Sequence, residues 1–154
     1  MKKYGILVSV LFLSVVTGCF FSKETVTCTM EGKQSGMDAT KEIAATFEGN
    51  ELKQLNMKIT VDVKDQTDGM KGVAKSVLES TFKEMETDGI TESVTEEEDH
   101  FDVVVDVDFE KTKTEGLEQV DQNLDSHFAD MKEQKATADD FIKVMEEDGY
   151  SCKK

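Results

Sequence analysis

The sequence predicts an α+β domain, an antiparallel sheet in the order β-β-β-α-β-β-α-α with helices packed on one face. Two observations carry that prediction. Apolar and polar residues alternate through Thr25 to Met30, Leu52 to Val63 and Phe101 to Phe109, the period of a half-buried strand. Apolar residues recur instead at helical spacing from Met70 to Met85 and again from Leu117 to Met131.

Thr25 to Met30 (TVTCTM) is the first strand, with Val26, Cys28 and Met30 on one face. Gly32 to Gly36 is turn-like. Asp38 to Phe47 and Leu52 to Val63 then flank Glu48-Gly49-Asn50-Glu51, a hairpin signal whose Gly and Asn tolerate positive φ. Leu55, Met57, Ile59, Val61 and Val63 face inward while Lys58, Thr60 and Asp62 face out. After a polar break at Asp65 to Gly69, Met70, Val73, Ala74, Val77, Leu78, Phe82 and Met85 form the inward face of an amphipathic helix, with Lys71, Lys75, Glu79 and Lys83 on other faces. Thr67 or Asp68 caps its start and Asp88-Gly89 ends it.

Ile90 to Val94 and Phe101 to Phe109 make a second hairpin around the acidic loop Glu96 to His100, and the second arm has the strongest alternation in the chain. Leu117, Val120, Leu124, Phe128 and Met131 mark helical structure. Thr137-Ala138-Asp139-Asp140 offers a capping box before a helix carrying Phe141, Ile142 and Met145. Gly149 stops it, and Tyr150-Ser151-Cys152 returns to the first strand. The polar face of the sheet is either solvated or a docking surface, and Val104 is an apolar residue on it.

The 154 residues suit one domain, and they carry 18 basic against 33 acidic side chains, a net charge of −15. Nucleic acid is excluded as a partner, because a polyanion without a basic stripe repels phosphate. Adhesion to anionic lipid is unfavourable for the same reason, so a membrane attachment must be covalent or inserted. All the basic residues are Lys, which points to an A+T-rich genome and a Gram-positive source.

The first 18 residues read as a targeting signal: Lys2 and Lys3 precede the apolar run Gly5 to Val16, which at 12 residues is too short to span a bilayer. Val16-Thr17-Gly18-Cys19 follows and resembles the bacterial lipoprotein lipobox. That resemblance implies cleavage between Gly18 and Cys19 and a diacylglyceryl group on the Cys19 thiol, two acyl chains being enough for stable anchoring. An ordinary secretory signal with an incidental cysteine is the alternative, disfavoured by the spacing of Cys19 from the apolar run. The organisation is then residues 1–18 signal peptide, 19–23 lipidated tether and 24–154 a single domain, lipid-anchored to the outer face of the cytoplasmic membrane. Cleavage leaves 16 basic against 33 acidic residues, a net of −17.

Three cysteines are odd for an exported chain, and assigning Cys19 to lipid leaves Cys28 and Cys152 as a disulfide. Closing so long a loop contributes about 4 to 5 kcal/mol in the chain-entropy model. A metal or redox site is disfavoured, since the two form no CxxC and no His lies near either.

Catalytic signatures are missing: the two histidines, His100 and His127, are too far apart for a helical zinc pair, and GxSxG, Walker and GxGxxG motifs are absent. His100 reads as a hairpin-tip residue and His127 as part of a helical segment. No cofactor or metal is called for. Asp102, Asp106 and Asp108 share one strand face and form a candidate cation site, though without the spacing of an EF-hand, which favours a solvated acidic face. Of the seven methionines beyond Cys19, Met57, Met70, Met85 and Met145 are assigned to the core rather than to an adaptable binding surface.

The lipobox, the TVTCTM strand, the EGNEL turn, the middle helix and the closing DDFIKVMEEDGYSCK together resemble the YehR-like bacterial lipoproteins. The resemblance implies a lipid-anchored α+β domain and transfers no catalytic residue. The expected function is a binding or structural module at the cell envelope, with a cationic ligand or an envelope protein as partner. The alternatives are a carboxylate-dependent envelope hydrolase, which needs an acid with a raised pKa in a concave site, and a precursor whose signal releases Leu11 to Gly18 (LFLSVVTG) as a pheromone peptide.

Overall fold

A computed structural model describes residues 22–34, 36–83, 87–124 and 127–154. The proposed signal and cleavage site, Cys19 and Met85 lie outside them. Every strand and helix described below and the whole described core fall within residues 22–154, so a domain beginning at Ser22 retains every contact described here.

The strands are β1 (Lys23–Gln34), β2 (Met37–Glu48), β3 (Glu51–Asp62), β4 (Ile90–Glu96), β5 (His100–Asp108) and β6 (Ser151–Lys153). The helices are α1 (Asp68–Lys83), α2 (Thr114–Leu124), α3 (Phe128–Glu133) and α4 (Ala138–Glu147). All six strands join one antiparallel sheet in the order β4-β5-β3-β2-β1-β6. This is the predicted α+β architecture with one addition, a separate α3, and the expected return of Tyr150-Ser151-Cys152 to the first strand is made by the short β6.

Alternation places the core on one face of the sheet. Phe101, Val103, Val105 and Val107 of β5 are all buried and stand beside Val61, Ile59, Met57 and Leu55 of β3. Ile43, Ala45 and Phe47 of β2 and Val26 and Cys28 of β1 continue the same layer. The β2–β3 hairpin turns at Gly49-Asn50, where Gly49 takes φ 62°, a conformation that needs no Cβ.

Helix α4 closes the layer over β1 and β6. Its capping box is present: Thr137 Oγ1 accepts from Asp140 N, and Thr137 N donates to the Asp140 carboxylate at 3.0 Å. Ala138, Phe141 and Met145 are buried, and the Phe141 ring meets Phe47 edge to face at 5.9 Å. Gly149 at φ 93° ends the helix and turns the chain into β6. There Cys152 lies directly opposite Cys28, and the two are joined in a disulfide that links positions 124 residues apart.

The apolar periodicity from Leu117 to Met131 is divided between α2 and α3. The Asp121 carboxylate accepts from Phe128 N at 2.7 Å and Ala129 N at 2.8 Å, satisfying the first free amides of α3 and starting a new helix across the turn. Lys132 of α3 reaches back to donate to the Phe109 carbonyl at 2.8 Å and to the Thr112 carbonyl, tying the segment after β5 to the helices.

Helix α1 departs from expectation. Leu78 and Phe82 are buried, but Met70, Val73 and Val77 are 58%, 66% and 48% exposed. Met57 and Met145 are core residues; Met70 is not. The reason lies in Lys71 and Lys75, which occupy the side of the wheel shared with Leu78 and Phe82. Lys71 Nζ donates to the Glu98 carbonyl at 2.9 Å and Lys75 pairs with Glu96 at 2.8 Å, so the first half of α1 is fastened to the β4–β5 turn by lysines. Its aliphatic residues are thereby rotated outward.

Candidate functional site

On a wheel of 3.6 residues per turn, Val73 and Phe82 bound a mainly apolar arc of roughly 180° that includes Met70, Ala74, Val77 and Leu78, interrupted by Thr81 and, at the Phe82 end, by Lys71. A helix resting on a sheet buries about 100° of arc. The surplus in α1 forms one wall of a groove of about 460 Å³, whose other wall is the β1–β2 turn at Gly36 and Met37. Met70, Val73, Ala74, Val77 and Leu78 line it from the helix, and Gln66 is its one polar side chain. A largely apolar concavity of this size lies within the ~300–1,000 Å³ typical of ligand sites.

Two glycines stand on the exposed side of the same helix. A Cβ built on Gly69 or Gly72 would meet nothing within 4 Å, so the chain's own packing requires neither. Glycine in a helix costs about 1 kcal/mol relative to alanine, and here no close approach within the protein offsets it. Gly69 and Gly72 among the aliphatic residues, and the width of the apolar arc, are the signals by which the sequence marks this surface.

The polar face of the sheet holds Asp102, Asp106 and Asp108, and each has its own partner. Asp102 accepts from Thr60 Oγ1 at 2.7 Å and pairs with Lys58 at 2.9 Å. Burial pushes its carboxyl up, but the hydrogen bonds from Lys58 and Thr60 outweigh that and hold it below the ordinary value. Asp106 accepts from Asn56 Nδ2 at 2.6 Å. Asp108 pairs with Lys111 at 2.7 Å and accepts from Glu110 N at 3.0 Å, and the Lys111 hydrogen bond lowers its carboxyl. At ~3.4 Å per residue, Asp102 and Asp108 stand roughly 20 Å apart. Among the described residues no group of three or more His, Cys, Asp or Glu is gathered so as to hold a metal ion.

His100 opens β5, with Nδ1 at 2.6 Å from Asp99 and Nε2 at 3.7 Å from Asp102. The Asp99 hydrogen bond raises its imidazole above the ordinary value and lowers Asp99 in return. His127 is exposed and precedes α3 without a side-chain cap. Val104 is half-buried, opposite Lys58 on β3 and Ser93 on β4. The described carboxylates that depart from ordinary titration, Glu51, Asp62, Asp99, Asp102, Asp108 and Asp140, all depart downward, opposite to the shift a general acid needs.

No family model matches the chain, and no curated protein matches it. Two solved structures share its fold. The NMR structure of the Escherichia coli YehR protein superposes with a TM-score of 0.58 at 16% identity, covering 82% of this chain and 88% of that one. The NMR structure of a protein from Streptococcus pneumoniae TIGR4 superposes with a TM-score of 0.59 at 12% identity, covering 99% and 97%. At such identities the likeness is one of architecture, and the chain has a YehR-like fold.

Proposed function

We propose that the chain is a lipoprotein, cleaved between Gly18 and Cys19 and anchored through lipid on Cys19 at the outer face of the cytoplasmic membrane, whose domain is a binding module that works through the α1 groove. The carrying observation for the module is the exposure of Met70, Val73 and Val77 beside a 460 Å³ apolar groove in a chain of which 33% is charged. Such a patch on a charged surface marks an interaction site. The anchor rests on the lipobox-like Val16 to Cys19 alone.

The two halves of the proposal fit one another sterically. β1 runs 12 residues from Lys23, near the proposed anchor, to Gln34 beside the groove, an extended span of roughly 37 Å. An anchored molecule would therefore carry its groove on the side away from its own lipid. The test of the module uses residues 22–154 and the neutral, environment-sensitive dye Nile red. Enhanced fluorescence in the wild-type domain, abolished in a Val73→Asp/Val77→Asp variant of unchanged melting temperature, supports the reading; equal response of the two proteins refutes it. Palmitate labelling of cells checks the anchor: label should be incorporated by the wild type and lost in Cys19→Ala, which should appear in the medium.

A further inference from the structure

We infer that the groove receives the apolar face of a cationic amphipathic helix from another protein or peptide, an inference that rests on the binding-module reading above and names its ligand class. The first ground is the surface of α1. Between Gly69 and Ser80 the exposed positions are Gly69, Met70, Gly72, Val73, Ser76, Val77, Glu79 and Ser80, with one charge among the eight, although 33% of the chain is charged. This face is small and apolar, as surfaces that accept another helix are, and unlike one exposed only to water.

Geometry narrows the occupant to a helix. The residues of α1 that line the groove lie within Gly69 to Leu78 and extend roughly 14 Å along the axis at 1.5 Å per residue, with Gln66 just ahead of the helix. That length matches between two and three turns of a partner helix. Met70, Val73 and Val77 follow the i, i+3, i+7 spacing of a coiled-coil seam, which presents holes to the knobs of a facing helix. Gly72, Ser76 and Ser80, four residues apart, flank that seam with side chains small enough to admit a neighbouring backbone.

Charge then selects the partner. The chain carries −15, which repels anionic lipid and disfavours a second copy of itself in the groove. Asp65 and Asp68 flank Gln66 and Gly69 at one end, both exposed, and neither has an ion-pair partner within 4.0 Å among the described residues. Neither lines the groove, but each adjoins a lining residue in the chain, and at a screening length of ~8 Å in physiological salt they favour a cation at that end while the more distant charge mainly steers encounter. A helix with an apolar stripe flanked by Lys or Arg meets both requirements.

The experiment uses oxidised domain 22–154 labelled with ¹⁵N and three synthetic 14-residue peptides: one of Leu and Lys with Leu at heptad positions, one of the same composition shuffled, and one with Glu in place of Lys. The Leu/Lys heptad peptide is expected to bind at least about tenfold more tightly than either control. Its amide shifts should map to residues 66–80 and 36–37, and its affinity should fall with added salt. Binding should be lost in Val73→Asp/Val77→Asp and weakened several-fold in Asp65→Asn/Asp68→Asn, with both variants folded by their amide spectra. Equal binding of the Glu peptide overturns the inference, as do shifts confined to the polar sheet face around Asp102 and Asp106. A concentration-dependent dimer that Val73→Asp/Val77→Asp makes monomeric also overturns it. Nile red uptake that depends on Val73 and Val77, in a domain that binds no peptide, defeats this inference and leaves the module standing; failure of both defeats both.

Discussion

Helices α1 and α4 begin from similar sequence signals and end in different roles. Each has a Thr ahead of its first turn and an apolar face at helical spacing. α4 directs Ala138, Phe141 and Met145 into the core and lies over β1 and β6, next to the Cys28–Cys152 disulfide. α1 has the wider apolar arc but commits only Leu78 and Phe82, because Lys71 and Lys75 hold its first half to the β4–β5 turn. The contrast teaches that apolar periodicity locates a helix while its charged neighbours decide which part of the arc becomes core. In α4 the apolar arc serves stability; in α1 about half of it stays exposed.

The strongest way to break this comparison is truncation. Phe141→Ala removes a fully buried ring packed on Phe47 and should cost about 3–5 kcal/mol in urea unfolding. Val77→Ala, at 48% exposure, should stay within about 0.5 kcal/mol. A large loss from Val77→Ala would mean that the α1 arc is core after all. The next largest effect is a gain: Gly72→Ala places a methyl in open space on an exposed helix and should stabilise by about 0.5–1 kcal/mol, read as a rise in the urea midpoint. α4 contains no glycine and so offers no gain of this kind.

The sheet was legible because alternation is local: each inward residue of β5 is identifiable from its neighbours two positions away, and Thr137 with Asp140 announced the start of α4 in four residues. Cysteine parity pointed to Cys28 and Cys152 without any geometry. What stayed hidden depends on groups distant in sequence. Asp121 interrupts the Leu117 to Met131 periodicity by capping amides seven and eight residues away. The return of Tyr150-Ser151-Cys152 to the first strand was legible, but the register of β6 was not, since its three residues are too few to display a period and pairing with β1 sets the alignment. The groove needs Gly36 and Met37 to stand across from α1, a tertiary fact. Its wall was nonetheless half visible, in an arc too wide for one sheet to cover and in two glycines that a buried helix would not need.

The smallest effects concern how the two helices begin. Thr137 Oγ1 and the Asp140 carboxylate satisfy one another's neighbours reciprocally, whereas Thr67 Oγ1 receives only Met70 N, at 3.4 Å. Thr137→Ala should therefore cost about 1 kcal/mol and Thr67→Ala only a few tenths. The α4 cap also carries a pH signature. Hydrogen bonds from the Thr137 amide and hydroxyl lower the Asp140 carboxyl, so the ionised form is favoured in the folded state. A carboxyl lowered on folding contributes stability that is complete above its unfolded value near 4 and is lost as pH falls through the folded value. The difference in urea midpoint between wild type and Asp140→Asn should accordingly be largest at neutral pH and shrink in acid below about pH 4. A difference that persisted unchanged at low pH would show that the carboxylate charge contributes nothing to the cap and that α4 is held by Phe141 and Met145 alone.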